Sequence, residues 1–247
     1  MIQTQPYSIL AEIYDCIMKD VPYKKWAKYI LKLIKKFNPK TTHILELACG
    51  TGTMISLLTK FGFKVDGVDI SEKMIQKAKE KIKNEDVNLY IADMSEFKTH
   101  KKYGSVLCLY DSINYLTEIG KILNLFSNVW SLLDEDGIFI FDISTEYNSI
   151  QNAIAMNTKG KCGDYKFVRR SYFLRDERTH INEFEIEKDG EKFFEKHIQR
   201  IYKISEIEDA VKKTGLFEVV ARYKNFTFSE GNEWSERVHF ILKKVKV

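Results

Sequence analysis

Three carboxylates and one glycine loop carry most of the chemistry that this sequence could perform. Glu46 lies within the predicted strand I-L-E-L, Asp69 follows V-D-G-V, and Asp93 follows L-Y-I-A. Each lies where a predicted strand ends, and in open α/β sheets ligands bind outside those ends. Asp69 comes 19 positions after Gly50, close to the spacing of about 20 between a dinucleotide-binding glycine loop and its ribose-binding acid. A carboxylate there can accept both ribose hydroxyl protons, so the pattern predicts a nucleoside site.

The loop A-C-G-T-G-T-M-I indicates what else the ligand carries. A dinucleotide-binding loop has the pattern G-x-G-x-x-G, whose third glycine allows close packing beside a pyrophosphate. Ile55 occupies that place here. Glu46 would repel a phosphate and attract an ammonium. S-adenosylmethionine has an α-ammonium, a sulfonium and a ribose, so it fits better than a dinucleotide, and a nicotinamide-dependent oxidoreductase is the weaker alternative.

The segments around these residues alternate between strands and helices, which predicts a parallel sheet with helices on both faces. We expect an α/β fold with a doubly wound, mostly parallel, seven-stranded Rossmann-like sheet, N-terminal helices and a small antiparallel β insertion. The first predicted helix reaches Met18. The predicted regions are a helical cap at 1–40, the sheet core at 41–158 and 203–247, and an inserted meander of about three strands, forming the substrate roof, at 159–202.

The stretch I-L-E-L-A-C-G-T-G, with Asp69 in V-D-G-V-D-I-S-E-K-M-I and Asp93 in I-A-D-M, resembles the class I S-adenosylmethionine-dependent methyltransferases. This resemblance covers residues 40–145. The stretch A-E-I-Y-D and the late meander resemble small-molecule members, including the amino-sugar N-methyltransferase type. The resemblance implies S-adenosylmethionine as cofactor and S-adenosylhomocysteine as product. It further implies in-line methyl transfer to a nitrogen or oxygen of a small metabolite.

The resemblance also implies roles for individual residues in holding the cofactor. Glu46 and the glycine-loop backbone would contact the methionine tail, and Asp69 would bind the ribose. Residues after the second and third strands would contact the adenine. Packing between helices is the competing explanation for Tyr14, Trp26 and Met74. The predicted cofactor-binding residues are Tyr14, Trp26, Glu46, Ala48, Gly50, Gly52, Asp69, Ile70, Met74, Asp93, Met94 and Tyr110.

The acceptor side is expected in L-Y-D-S-I-N-Y-L after the fourth strand and at strand ends of the roof. If Arg200 and Arg237 converge in the cleft, they predict a carboxylate or phosphate on the acceptor. Surface charge or an internal hydrogen bond is the competing explanation for both arginines and for His197. The predicted substrate-binding residues are Asp111, Tyr115, Arg200 and Arg237, and the candidate catalytic residues are Tyr14, Asn114 and His197.

Charge and composition narrow the function classes. The net charge of +4 is too small to predict nucleic-acid binding by itself. Seven lysines and no acid lie between Lys24 and Lys40, a pattern typical of an amphipathic helix with a solvated face. An RNA-directed methyltransferase using that face and a non-catalytic cofactor-binding module are the remaining alternatives. The five histidines show no ligand spacing, so no metal is expected.

The cysteines and the N-terminus suggest a compartment. Four cysteines, with no C-x-x-C pair, favour free thiols in a reducing environment. The N-terminus has no basic stretch followed by a long apolar run, and no segment has 18 consecutive apolar residues. We therefore expect a soluble cytoplasmic monomer or homodimer without membrane contact, acting on a small-molecule acceptor. The cysteines are Cys16, Cys49, Cys108 and Cys162.

Overall fold

A computed structural model of the chain describes residues 1–84 and 86–246. The structure consists of two β-sheets and a set of helices. The strands are β1 (Ile2–Gln3), β2 (His43–Leu47), β3 (Lys64–Asp69), β4 (Leu89–Ile91), β5 (Tyr103–Cys108), β6 (Leu133–Ser144), β7 (Thr158–Cys162), β8 (Tyr165–Leu174), β9 (Thr179–Lys188), β10 (Glu191–Arg200), β11 (Phe217–Lys224) and β12 (Arg237–Lys244). The α-helices are α1 (Tyr14–Ile17), α2 (Tyr23–Phe37), α3 (Thr53–Thr59), α4 (Glu72–Lys81), α5 (Ile119–Leu132), α6 (Glu146–Asn152) and α7 (Ile204–Thr214).

The larger sheet has seven strands in the order β11-β12-β6-β5-β2-β3-β4. Strands β2 to β6 are mutually parallel, whereas β12 pairs antiparallel with both β6 and β11. The predicted seven-stranded, mostly parallel sheet is confirmed. Because the parallel strands share one direction, the ends of β2, β3, β5 and β6 lie along one edge, which places Glu46 near the end of β2 beside Asp69 at the end of β3.

The sheet is covered on both faces, which is why its central strands are apolar runs and not alternating patterns. Helices α5 and α7 pack against one face around Phe126, Phe139 and Phe141. The other face packs against α2 and α3, where Ile30, Leu33 and Ile55 are fully buried. The lysines of α2 lie on its opposite side, as the amphipathic pattern predicts.

The smaller sheet has five strands, in the order β1-β10-β9-β8-β7, whereas about three were expected. Strands β8, β9 and β10 form the predicted antiparallel meander. The additional strands are β7, whose T-K-G-K-C lacks the apolar alternation of a half-buried strand, and the two-residue β1. Both were missed because only their tertiary pairing with the meander makes them strands.

The N-terminal segment is less helical than predicted. A 3₁₀ turn (Leu10–Glu12) and the four-residue α1 replace the expected helix to Met18. The reason is the fully buried carboxylate of Glu195 on β10, which accepts the N–H groups of Tyr7, Ile9 and Leu10 at 2.7, 2.7 and 3.0 Å. This side chain fixes the segment to the roof in a non-helical path.

The expectation of four free thiols is wrong for two of them. Cys16 in α1 and Cys162 at the end of β7 form a disulfide across 146 residues of sequence, and Cys49 and Cys108 are free and buried. A search for short cysteine spacings cannot detect so distant a pair. Within residues 1–84 and 86–246, no helix is long and apolar enough to cross a membrane.

The glycine at the centre of β3 provides a test of the packing under the loop. A Cβ at Gly67 would lie 2.5 Å from Ile55 Cδ1 and 2.9 Å from Cys49 Sγ, so Gly67→Ala should lower the free energy of unfolding by about 1–3 kcal/mol through overpacking. Gly120 in α5 has no atom within 4 Å of the corresponding position. Gly120→Ala is the matched control and should leave stability unchanged or raise it by about 0.5 kcal/mol. Urea denaturation measures both, and equal effects would contradict this packing.

Candidate active site

One cavity of about 370 Å³ lies between the strand ends of the large sheet, the N-terminal segment and the roof. Its floor comes from the loops after β2 and β5. Its walls come from the N-terminal segment and α2, and its roof from β8, β9 and β10. The residues with candidate chemical roles that line it are Tyr7, Tyr14, Trp26, Glu46, Ala48, Gly50, Tyr110, Asp111, Tyr115, Arg169, His197 and Arg237.

Glu46 has an unusual environment for a carboxyl group. It is only 4% exposed, and its Oε2 atom has no hydrogen-bond partner among the described residues. Burial, and then the negative charge of Asp69, raises the pKa of Glu46 to about 8. A buried oxygen without a partner is costly. An ammonium placed beside it would supply both the missing donor and a compensating charge.

The two loop glycines have different tasks. Gly50 has φ +55°, and nothing lies within 4 Å of the position that a Cβ would occupy, so its backbone borders open cavity space. Gly52 does not line the cavity. It begins α3 with φ +72°, and a Cβ there would lie 2.6 Å from Ile82 Cδ1, so Gly52 serves the packing of the loop against the end of α4. Ala48, with φ +52°, adds a strained residue on the cavity wall.

Asp69 connects the loop to β3. Its Oδ2 accepts the N–H of Gly50 and its Oδ1 that of Ser71, both at 2.8 Å. Burial raises the pKa of Asp69 although these N–H groups oppose the rise. Each carboxylate oxygen has a second lone pair, so the side chain can also accept ribose hydroxyls.

The residues predicted to contact adenine lie outside this cavity. Ile70 is 67% exposed and Met74 is 1% exposed. Asp93 accepts the N–H and the hydroxyl of Ser95 at 2.7 Å. Met94 packs against the buried core of the large sheet. Adenine contacts by these four residues stay a prediction.

Aromatic side chains form the wall beside the loop. The Trp26 and Tyr110 rings lie 5.6 Å apart, Tyr23 stacks on Tyr110 at 6.3 Å, and Tyr7 meets Tyr14 edge to face at 5.9 Å. Burial raises the pKa values of the Tyr7 and Tyr14 hydroxyls well above the ordinary value, so both stay neutral. A wall of neutral aromatic rings favours a cation such as a sulfonium.

The loop after β5 is held by a carboxylate that no sequence motif indicated. Asp142, fully buried on β6, accepts the N–H groups of Tyr110 and Asp111 at 2.8 and 2.7 Å, and both residues have positive φ. Arg237 contacts Asp142 and lies 2.7 Å from Asp111 Oδ1. Burial would lower the pKa of Arg237, but the two carboxylates outweigh it and raise the pKa. Arg237 is therefore neutralised within the protein.

Four side chains form a hydrogen-bonded chain along the cavity. The Tyr7 and Tyr115 hydroxyls lie 2.6 Å apart, and Tyr115 Oη lies 3.1 Å from His197 Nδ1. His197 Nε2 lies 3.2 Å from Glu195 Oε2. Because Glu195 is a carboxylate acceptor, Nε2 carries the proton and Nδ1 is left as an acceptor toward Tyr115.

A methyltransferase domain model matches residues 44–137 of the chain. A relative named "Putative methyltransferase" from Geobacillus sp. (strain WCH70) is 31% identical over 96% of this chain and 99% of its own length. The chain belongs to the S-adenosylmethionine-dependent methyltransferases. The crystal structure of a S-adenosylmethionine-dependent methyltransferase from Clostridium acetobutylicum ATCC 824 has a TM-score of 0.80 at 26% identity, covering 96% of this chain and 98% of that one.

A further relative of the methyltransferase aligns over less than half of either chain. The dTDP-3-amino-3,6-dideoxy-alpha-D-glucopyranose N,N-dimethyltransferase of Streptomyces fradiae is 30% identical over 43% of this chain and 42% of its own length.

Asn114 and Arg200, two of the residues predicted on the acceptor side, do not line the cavity of the methyltransferase either. Asn114 is fully buried, and its amide donates to the Arg200 carbonyl at 2.6 Å and accepts from the Ser144 N–H at 3.2 Å, so it joins the roof to the core. Arg200 pairs with Glu206 of α7 at 2.6 Å and stacks on Tyr202. The condition that Arg200 and Arg237 converge in the cleft is not met, because Arg200 lies on the opposite side of β10 from His197.

The cavity of the methyltransferase is also lined by roof residues that were not predicted from the sequence. Arg169 on β8 lines it, together with Asn182 on β9 and Gln199 on β10. The alternation of side chains along F-V-R-R-S indicates this position for Arg169. It places Arg169 on the same side of β8 as Phe167 and the buried Ser171, whereas Arg170 faces solvent. No group of three or more histidine, cysteine or acidic side chains in the described part of the chain could hold a metal.

The raised pKa of Glu46 predicts that cofactor binding by the methyltransferase releases a proton. Near pH 7 a carboxyl with a pKa of about 8 is mostly protonated. A neighbouring ammonium lowers that pKa, so binding should expel about one proton, and affinity should rise between about pH 6 and pH 8. Calorimetry in buffers of different ionisation enthalpy measures the release.

Glu46→Gln should abolish the proton release and weaken binding at least about tenfold. Glu218→Gln, on the exposed face of β11, is the matched control and should behave as the unaltered protein. Equal proton release from both variants would show that Glu46 does not contact the cofactor.

Proposed function

We propose that this methyltransferase transfers a methyl group from S-adenosylmethionine to an amine nitrogen of a small metabolite held under the roof. The observation that carries the proposal is the buried Oε2 of Glu46, which has no partner among the described residues, on a side chain that lines the same cavity as the roof side chains. The Streptomyces fradiae relative, whose name specifies N,N-dimethylation of an amino sugar, supports nitrogen as the acceptor atom.

The chain's own residues would position the donor. Glu46 would accept from the α-ammonium, Asp69 from the ribose hydroxyls, and the open backbone at Gly50 would allow close approach of the tail. Tyr14, Trp26 and Tyr110 would surround the sulfonium. The cofactor supplies a methyl group already activated by a positive sulfur, so the protein's contribution is mainly alignment and exclusion of water.

The chain Tyr7, Tyr115, His197 and Glu195 would remove the proton of an amine that arrives as an ammonium. The ammonium would give its proton to the Tyr115 hydroxyl, directly or through Tyr7, while the proton of Tyr115 passes to His197 Nδ1. The imidazolium that forms would be paired with Glu195, whose carboxylate is also fixed by the backbone of the N-terminal segment. The amine lone pair would then be free to attack the methyl carbon.

The first test of the function combines binding with turnover. The intact protein should bind S-adenosylmethionine and S-adenosylhomocysteine in calorimetry. Asp69→Ala should reduce affinity at least about 100-fold because the ribose and Gly50 lose their acceptor. The control Asp134→Ala alters an exposed residue at the far end of β6 and should bind normally. A panel of small amines with isotope-labelled methyl donor should then yield a methylated product.

Absence of cofactor binding by the intact protein would contradict the proposal. Binding without product from any amine, alcohol or RNA tested would favour the non-catalytic module. Product from RNA alone, with steep salt dependence, would favour the RNA-directed alternative.

The second test concerns proton removal. With an amine found in the panel, His197→Asn and Tyr115→Phe should lower kcat about 10²-fold near neutral pH, with a smaller change in KM. The loss should shrink at higher pH because the amine then arrives already deprotonated. His100→Asn, at an exposed position, is the control and should keep full activity. A loss in the His197 and Tyr115 variants that is the same at every pH would contradict proton transfer.

A further inference from the structure

The roof contains an arginine that forms no salt bridge with an acidic side chain of residues 1–84 and 86–246. The chain has seven arginines. Six of them pair with an aspartate or glutamate at salt-bridge distance, namely Arg170, Arg175, Arg178, Arg200, Arg222 and Arg237. Among the described residues, Arg169 has no such acid, although it lines the cavity.

Neutral groups hold the Arg169 guanidinium in one orientation. Its Nε and Nη2 donate to Asn182 Oδ1 at 3.0 and 2.7 Å, and Nη2 also contacts Met156 Sδ at 3.4 Å. Its plane lies 5.5 Å from the centre of the Phe184 ring. No hydrogen bond of Nη1 to any described residue is present, so the two N–H groups of Nη1 are available to a ligand.

Burial makes this arrangement costly for the free protein. Removal of water around Arg169 lowers its pKa, which is the expected effect on a cation without a bonded carboxylate. Asp111 is the carboxylate whose negative charge acts on Arg169. Both of its oxygens already have partners, because Oδ1 pairs with Arg237 and Oδ2 accepts from Gln199. A desolvated cation with free donors is a strong site for an anion.

Arg169 lines the same cavity as Tyr110 and Tyr115. Burial raises the pKa values of both tyrosines, and the positive charge of Arg169 opposes that rise. Tyr115 is the hydroxyl that contacts His197. Arg169 therefore acts on the group that the proposed function assigns to the acceptor.

We propose that the acceptor amine carries an oxyanion, a phosphate or a carboxylate, and that Arg169 binds it through Nη1. The inference rests on the proposed function, since it assigns a second recognition group to the same acceptor. The proposal of an anionic acceptor therefore rests on Arg169 and not on Arg200 and Arg237. Arg200 faces away from the cavity, and Arg237 is neutralised by Asp111 and Asp142.

Titration of the protein saturated with S-adenosylhomocysteine tests the proposal, with inorganic phosphate in one arm and acetate in the other. The NMR signal of the Arg169 Nε–H should shift saturably with at least one ion. Arg169→Met should weaken that ion's binding at least about tenfold. Arg169→Gln, which keeps a donor for Asn182, should weaken it similarly. Arg170→Met, on the solvent side of β8, should bind as the unaltered protein.

Preference for phosphate would indicate a phosphorylated amine, and preference for acetate an amine with a carboxylate. Equal ion binding by the unaltered protein and both Arg169 variants, or no saturable shift with either ion, would overturn the proposal. Affinity for S-adenosylhomocysteine is measured in every variant. Failure of the proposed function appears as loss of cofactor binding or of methyl transfer in the unaltered protein, whereas failure of the anion site leaves both intact.

Discussion

The buried Oε2 of Glu46 is the constraint on which the rest of the site depends. A carboxyl oxygen inside the protein without a donor is tolerated only if the group keeps a proton or receives a cation. In the protein alone, burial and the neighbouring Asp69 favour the protonated form. A cation at that position would restore the ionised form, and Glu46 lines the same cavity as Gly50, whose backbone borders open space. In the proposed function the site would therefore favour a cationic tail over a phosphate.

The shape of the cavity depends on contacts between distant parts of the chain. Glu195 fixes the N-terminal segment to the roof, and Asp15 accepts from Thr51 of the glycine loop at 2.6 Å while pairing with Lys81 of α4 at 2.6 Å. The Cys16 to Cys162 disulfide joins the same segment to β7. One short segment thus contacts both the glycine loop and the roof. In the proposed function this segment would form a wall shared by the donor and acceptor sites and would keep water from the reacting atoms.

The parts of this site that could be predicted are those encoded locally. A strand, a glycine loop and an acid about 20 residues later are close in sequence, so Glu46, Gly50 and Asp69 could be found without a structure. Asp142 and Glu195 could not, because each acts on backbone N–H groups that are brought to it only by folding. The disulfide between Cys16 and Cys162 could not be predicted for the same reason.

The errors on the roof have a different cause. Side chains alternate along a strand, so His197 and Gln199 share one side of β10 and Arg200 the other. Applying that period to β8 and β10 would have favoured Arg169 and excluded Arg200. Asn114 was a plausible catalytic group by type and position. In the folded chain it is buried and hydrogen-bonded to the backbone of Arg200 and Ser144, so it joins the roof to the core.

A crystal structure of the protein with bound S-adenosylhomocysteine tests the role of Glu46. In that complex the α-ammonium nitrogen should lie about 3 Å from Glu46 Oε2, and the ribose hydroxyls should lie at the same distance from Asp69. An ammonium bound elsewhere, with Oε2 of Glu46 still unpartnered in the complex, would contradict this role.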